Sequence, residues 1–185
     1  MKKYKKLTND KGYKLLNTGS VILVCTKDSK GVHNITTIAW QCPLDYDPVT
    51  KVLFISDVNH KGFDNLSKSK KFVVCIPHAS QRKLVLDMGS VSGKKVDKLK
   101  KFKVPHFISE TNKIAVPEDC IGYIECSLIQ VIKHEGVGIV MGKAVNVRVD
   151  EKAFKDRLLS EKAAGKTLHH LGSKVFVLPE DRIVK

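Results

Sequence analysis

The chain has 185 residues, 42% hydrophobic and 28% charged, which is ordinary for a globular protein and enough for one sizeable core. Its formal charge is +14, yet only four of its 33 basic residues are arginine (Arg82, Arg148, Arg157, Arg182) and aromatic residues make up 6%. Nucleic-acid readers rely on bidentate arginines and stacking rings, so a basic nucleic-acid-binding β-barrel is only a remote alternative, and the lysines suit a high-salt or high-temperature host or an acidic electron-transfer partner or phosphorylated cofactor.

The longest apolar runs, at 21–25, 53–55 and 72–76, are of strand length and too short to span a bilayer as helices. The basic start Met1–Lys6 lacks the apolar stretch of a signal peptide. Five cysteines (25, 42, 75, 120, 126) contain no C-x-x-C, and an odd number without a secretion signal suits free thiols in a reducing compartment. The expectation is one domain over residues 1–185, cytoplasmic and with no membrane partner.

After a polar lead-in at 7–18, residues 19–27 (GSVILVCTK) predict the first strand, and the turn Asp28-Ser29-Lys30-Gly31 joins it as a hairpin to the strand 33–40. Residues 43–48 then read as a turn. Strands follow at 51–57 and 72–77, with a short helix between them at 60–69 carrying Phe63 and Leu66. Ser80 can cap a helix with Leu84, Val85 and Met88, and a second helix is predicted over 94–101. Residues 102–118 read as a loop with a short strand near 114–116. Two long strands, 121–132 and 137–149, flank a four-residue loop, Lys133-His134-Glu135-Gly136. Asp150 precedes Phe154, Leu158 and Lys162 at helical spacing, predicting a helix ended by Gly165, and 174–178 reads as the last strand. Antiparallel hairpins with short inserted helices, and no βαβ alternation, point to a mainly β, antiparallel barrel or sandwich.

Several kinds of chemistry find no foothold. The run Gly136-Val137-Gly138-Ile139-Val140-Met141-Gly142 resembles a dinucleotide fingerprint, but it has Met141 where glycine is needed and opens a strand instead of a helix. The seven histidines include no metal-binding spacing, so no metal site is expected. There is no G-x-S-x-G and no cysteine with an evident base, so no catalytic side chain is proposed.

What stands out is Asn34-Ile35-Thr36-Thr37-Ile38-Ala39-Trp40, a strand unusually polar for a core and closed by the only tryptophan. It is open to two readings: a half-exposed strand whose tryptophan fills core, or a strand facing a polar ligand. Two predicted helix starts add weight to the second. Ser56, Asn59, His60 and Lys61 lead into one, and Ser92, Gly93 and Lys94 into the other. Free N–H groups, the helix dipole and a lysine together favour anions.

In this order and spacing the chain resembles the flavin reductase-like family, which includes the flavoredoxins. The resemblance is carried by Asn34-x-Thr36-x-x-Ala39-Trp40 with Pro43 and Asp47-Pro48, by His60-Lys61 with Asn65-Leu66 and Phe72-Val73-Val74, by Ser92-Gly93-x-x-x-Asp97-Lys98, and by His169-His170-Leu171-Gly172. The resemblance implies a split β-barrel of Greek-key type with peripheral helices, binding FMN. It implies that residues 34–40 line the flavin, that Ser56–Lys61 meet its phosphate, and that the Ser92-Gly93-Lys94 loop and His169 lie over the cofactor. It further implies a homodimer and an oxidoreductase passing electrons from NAD(P)H or a protein donor through FMN to an acceptor, or alternatively an electron carrier without a substrate of its own. Two departures are noted: Gly62 stands where a hydroxyl side chain often follows His-Lys, and Phe176 where tyrosine is common.

Overall fold

A computed structural model of the chain describes residues 5–17 and 19–180. Met1–Tyr4 of the basic start, Thr18 of the lead-in and Arg182 lie outside the described residues.

The fold grows from a strand that is apolar on both faces. In β1 (Ile22–Lys27), Leu23 and Cys25 point into a cluster with Ile35, Cys75, Met88 and Ile114. Ile22 and Val24 point the other way, to Ile38, Phe54, Phe63 and Phe72. Successive strand side chains leave on opposite faces, so an unbroken apolar run requires cover on both. β1 therefore sits between β2 (His33–Ile38) and β5 (Lys71–Ile76), with one core above the sheet and one below.

β3 (Gln41–Asp45), β4 (Lys51–Asp57), β8 (Gly122–His134) and β9 (Val137–Val149) complete a seven-stranded antiparallel sheet in the order β2-β1-β5-β8-β9-β4-β3. β2 and β3 form its two ends, although only Ala39 and Trp40 separate them in the chain. The Ile55 N–H donates to the Trp40 carbonyl at 2.9 Å, which continues the β3–β4 ladder up to this link, so the two-residue connection holds the ends close and the sheet curls toward a barrel. Bulges in the β8–β9 ladder near Glu125 and Leu128 add to the bend. The expected mainly β, antiparallel architecture with short helices is what the chain forms.

The helices cover the openings. α1 (Lys61–Ser69) places Phe63 and Leu66 in the barrel interior. α2 (Arg82–Ser90) places Val85 and Met88 against the outer cluster, and α3 (Lys98–Lys101) adds Leu99 there. Small strand pairs finish the chain: β6 (His106–Ile108) with β7 (Ala115–Pro117), β10 (Phe154–Lys155) with β11 (Arg157–Leu158), and β12 (His169–Gly172) with β13 (Val175–Val177).

One buried charge organises the β5–β8 side. Glu125 is fully buried, and its carboxylate accepts from the N–H groups of Thr111 and Asn112 and from the Asn146 amide at 2.8 Å. Burial alone would raise its pKa, but these donors outweigh that and hold the carboxyl below its usual range.

Five expectations about local structure are corrected. The helix after Asp150 is absent: Phe154 and Leu158 face each other across the β10–β11 hairpin, turning at Asp156 with φ of 57°. The segment 94–101 is helical only from Lys98, after a turn in which Lys95 and Val96 both donate to the Ser92 carbonyl. Ser80 does not cap α2 but lies in a 3-10 turn, Ala79–Gln81, that leads into it and is capped by His78, whose Nδ1 accepts from the Ser80 N–H while the Gln81 side-chain oxygen accepts from the His78 N–H. The first half of the turn expected at 43–48 belongs to β3 (Gln41–Asp45), which pairs with β4. The β8–β9 loop is only Glu135-Gly136, because the strands extend to His134 and Val137.

Candidate functional site

β2 is an end strand, hydrogen-bonded within the sheet to β1 alone, and its side chains face two different helices. Asn34 and Thr36 face α1, while the Thr37 hydroxyl donates to the Val85 carbonyl of α2 at 2.7 Å. Between these helices lies a cavity of about 270 Å³. Its walls are Asn34, Thr36 and Thr37 from β2, His60 and Lys61 from the start of α1, Met88 to Gly93 from the end of α2 and its following turn, and Lys98 from α3. At Thr37, Gly89 and Ser90 it meets a second cavity of about 570 Å³, which reaches Ala39, His170 and Phe176. A third of about 280 Å³ shares Thr37, Ala39 and His170 with the second and ends at Ile38, Trp40 and Ile55. The three form a trough running the length of β2.

The head of the trough is cationic. His60 is the N-cap of α1 and gives no side-chain hydrogen bond to the helix, so the positive end of the dipole has no side-chain acceptor there. Lys61 contacts Asp28 at 3.1 Å. Burial acts to raise the Asp28 pKa, but the Val32 and Lys30 N–H groups and the Lys61 ammonium hold it below the usual carboxylate value. Lys98 is 5% exposed, and its ammonium donates to the carbonyls of Ile35 at 2.9 Å and Met88 at 2.6 Å. Burial pulls its pKa down to about 8.

Close approach of the backbone shapes this head. A Cβ on Gly93 would lie 1.9 Å from the Asn34 Oδ1, and one on Gly62 would lie 2.5 Å from the Thr36 Oγ1. Glycine at both places lets the 92–93 turn and the start of α1 lie directly on β2. The departure at Gly62 thus has a counterpart: the Thr36 hydroxyl, which accepts from the Asn34 amide at 3.2 Å, occupies the space where a side chain at 62 would begin.

Of the residues singled out from the sequence, Asn34, Thr36, Thr37, His60, Lys61, Ser92 and Gly93 come together around the head, and Ile38, Ala39 and Trp40 line the far end. Ile35 turns its side chain into the outer core and offers the trough only backbone. Ser56 is buried behind His60, its hydroxyl 3.5 Å from the ring Nδ1. Asn59 is exposed beyond the helix start, where its N–H donates to Asp57. Lys94 points outward to Asp64 at 2.9 Å, and the helix expected to start beside it does not form there. His169 lies in β12 with its Nε2 3.0 Å from the Thr167 hydroxyl, and it is the adjacent His170 that lines the trough.

Sequence reasoning missed Met88, Ser90, Val91 and Lys98 as lining residues, and His170 and Phe176 at the far end. Lys98 had a signal, as part of Ser92-Gly93-x-x-x-Asp97-Lys98, but among Lys94, Lys95, Lys100 and Lys101 nothing in the string marks it as the buried one. Among the described residues no three His, Cys, Asp or Glu side chains are placed to hold a metal, and no helix is long and apolar enough to cross a membrane.

The curled antiparallel sheet is a split-barrel fold shared with proteins of known structure. An FMN-binding protein from Thermus thermophilus, solved with p-hydroxybenzaldehyde, superposes with a TM-score of 0.83 at 22% identity over all of both chains. A flavoredoxin from Methanosarcina acetivorans gives 0.82 at 18% identity, covering 100% of this chain and 95% of its own. An uncharacterised Escherichia coli protein, YddH, is 27% identical over 174 residues, 92% of each chain. The sequence model of the flavin reductase like domain matches residues 16–169, and the chain belongs to that family.

Proposed function

We propose that the trough along β2 binds FMN and that the protein is an FMN-dependent oxidoreductase of the flavin reductase-like type. The observation that carries this reading is the polarity of the trough. Its head gathers Lys61, Lys98, His60 and a helix N-terminus, and its far end is lined by Ala39, Trp40, Phe176 and His170. A phosphate monoester with nearly two negative charges suits the first end. A flat aromatic ring system suits the second.

The residues present fit the cofactor. Lys98 is a buried cation that has no carboxylate partner among the described residues, and it lines the same cavity as Lys61, Thr36 and Ser92. Thr36, Ser92, Lys61 and the start of α1 would hold the phosphate, with Asp28 positioning Lys61. The indole N–H of Trp40 donates to Asn17 at 3.1 Å and Tyr13 packs edge-on at 6.0 Å, so the ring that closes the far end is itself held in place. Bound there, FMN would supply the redox chemistry, exchanging electrons between a donor and an acceptor. The protein's part is to bind, orient and shield, which accounts for a site without an evident acid–base pair. NAD(P)H or a protein donor are both compatible with the open second cavity.

Exposed apolar side chains at Leu44, Tyr46 and Val49, and at Ile129, Val145 and Val147 on β8–β9, suit a homodimer that covers them. Analytical ultracentrifugation should then give twice the chain mass. The visible spectrum of purified protein, with mass analysis of the compound released on heating, tests the central reading. A yellow protein releasing FMN is expected; a colourless protein that takes up no added FMN ends it. Turnover of NADH or NADPH above background separates the reductase from the carrier that resembles a flavoredoxin.

A further inference from the structure

A buried ammonium that lacks a counter-charge is the least explained group in the molecule. Lys98 is 95% removed from solvent, lines the cavity at the head of the trough, and among the described residues has two acceptors, the carbonyls of Ile35 and Met88. An ammonium carries three donors. Among the described residues no carboxylate lies within 4.0 Å of it, and the acids around the cavity are engaged elsewhere. From the α1 side the facing titratable groups are His60 and Lys61, and Asp28 is taken by Lys61 at 3.1 Å. Asp64 of α1 pairs with Lys94 at 2.9 Å and Asp87 of α2 with Lys83 at 2.5 Å. Asp97, beside Lys98, caps α3 and lies 3.7 Å from Lys100. On β2 the nearest titratable group is His33, whose Nδ1 accepts from the Ala115 N–H and which burial keeps below its ordinary pKa.

We propose that Lys98 is an anion-binding residue of the cavity, its ammonium anchored by two backbone carbonyls and its third N–H given to the phosphate monoester of the ligand. The assignment rests on the FMN reading for the identity of that ligand, and goes beyond it in naming the counter-charge and its proton. Burial holds the Lys98 pKa near 8, so in mildly alkaline solution much of the amine is neutral. A phosphate arriving beside it favours the charged form. Binding then takes one proton from solvent onto the Lys98 Nζ for each neutral amine, and apparent affinity falls as pH rises above 8.

Calorimetric titration at pH 6.5 and 8.5, in buffers of different ionisation enthalpy, tests this with FMN, riboflavin and inorganic phosphate. Wild type should take up a fraction of a proton per FMN at pH 8.5 and none attributable to Lys98 at pH 6.5. Lys98→Met should weaken FMN about 10- to 100-fold, the range of a charged hydrogen bond, leave riboflavin within about twofold, and abolish the uptake. Lys98→Arg, permanently charged, should bind FMN without uptake. Equal losses for FMN and riboflavin in Lys98→Met, or uptake that persists in it, would make Lys98 a strut between β2 and α2 and overturn the proposal. Should Lys98→Met not fold, wild type and Lys98→Arg suffice: the absence of uptake in wild type, or its presence in Lys98→Arg, overturns it. If wild type binds neither flavin but takes phosphate with an uptake that Lys98→Arg lacks, the flavin reading falls and the Lys98 assignment stands. If phosphate also fails to bind, both fall.

Discussion

Glu125 and Lys98 are both buried charges, each on the sheet or against it, and they are treated in opposite ways. Glu125 is closed off by two backbone N–H groups and an amide, and its pKa moves in the direction that keeps it charged. Lys98 has two carbonyls, no carboxylate and a pKa moved toward neutrality. A buried charge whose hydrogen bonds are complete within the chain is structural. One left partly compensated at the wall of a cavity is poised for something from outside. The contrast separates the β5–β8 side, which fixes the 109–112 loop, from the trough on β2.

Removing the closed charge should have the largest effect. Glu125→Leu leaves the Thr111 and Asn112 N–H groups and the Asn146 amide without their acceptor, and should cost on the order of 3 kcal/mol in chemical denaturation. Next comes the acid response. The folded carboxyl of Glu125 lies below its unfolded value of 4.5, so its contribution is complete above that value and fades as pH falls through the folded pKa. Wild type should therefore lose stability below about pH 4.5, and Glu125→Gln should show a shallower loss there.

The open charge should behave differently. Lys98→Met in the ligand-free protein should change stability by about 1 kcal/mol or less at pH 7, because losing a buried charge offsets two carbonyls left unpaired. Between about 8 and 10.5 the unfolded chain binds the proton that folded Lys98 has given up, so wild type should gain stability with rising pH and Lys98→Met should lack that slope. A destabilisation by Lys98→Met as large as that of Glu125→Leu would erase the distinction. The smallest effect is expected from Asp28→Asn. The Lys61–Asp28 pair is about a fifth exposed, so stability should fall by less than about 1 kcal/mol, with the loss appearing instead as weaker FMN binding.

Where local pattern and final position agree, the chain was legible. β1 is an apolar run because both its faces are covered, and the hairpins at 28–31 and 135–136 carry their turn residues in the string. Phe154 and Leu158 misled because residues four apart meet on one face of a helix and equally across a tight hairpin. Asp150 does accept from the Lys152 N–H, so its capping chemistry was real and only the helix was wrong. His169 and His170 could not be told apart, since which of two adjacent strand residues faces the trough depends on the register of β12 with β13.

By itself the sequence determined the long strands of the sheet other than β3, the antiparallel pairing of neighbouring hairpins, the family and the polar stretch 34–40 as the candidate ligand strand. Those follow from spacing, turn chemistry and motif order, all of which are local in the chain. Tertiary structure alone decided that β2 ends the sheet, that Gly62 and Gly93 rest on its side chains, and that one lysine among five between 94 and 101 is buried at the cavity wall. These depend on contacts between residues about 30 to 60 positions apart, and burial, the quantity that turns a lysine from a solvated surface charge into a waiting counter-ion, is a property of the assembled fold.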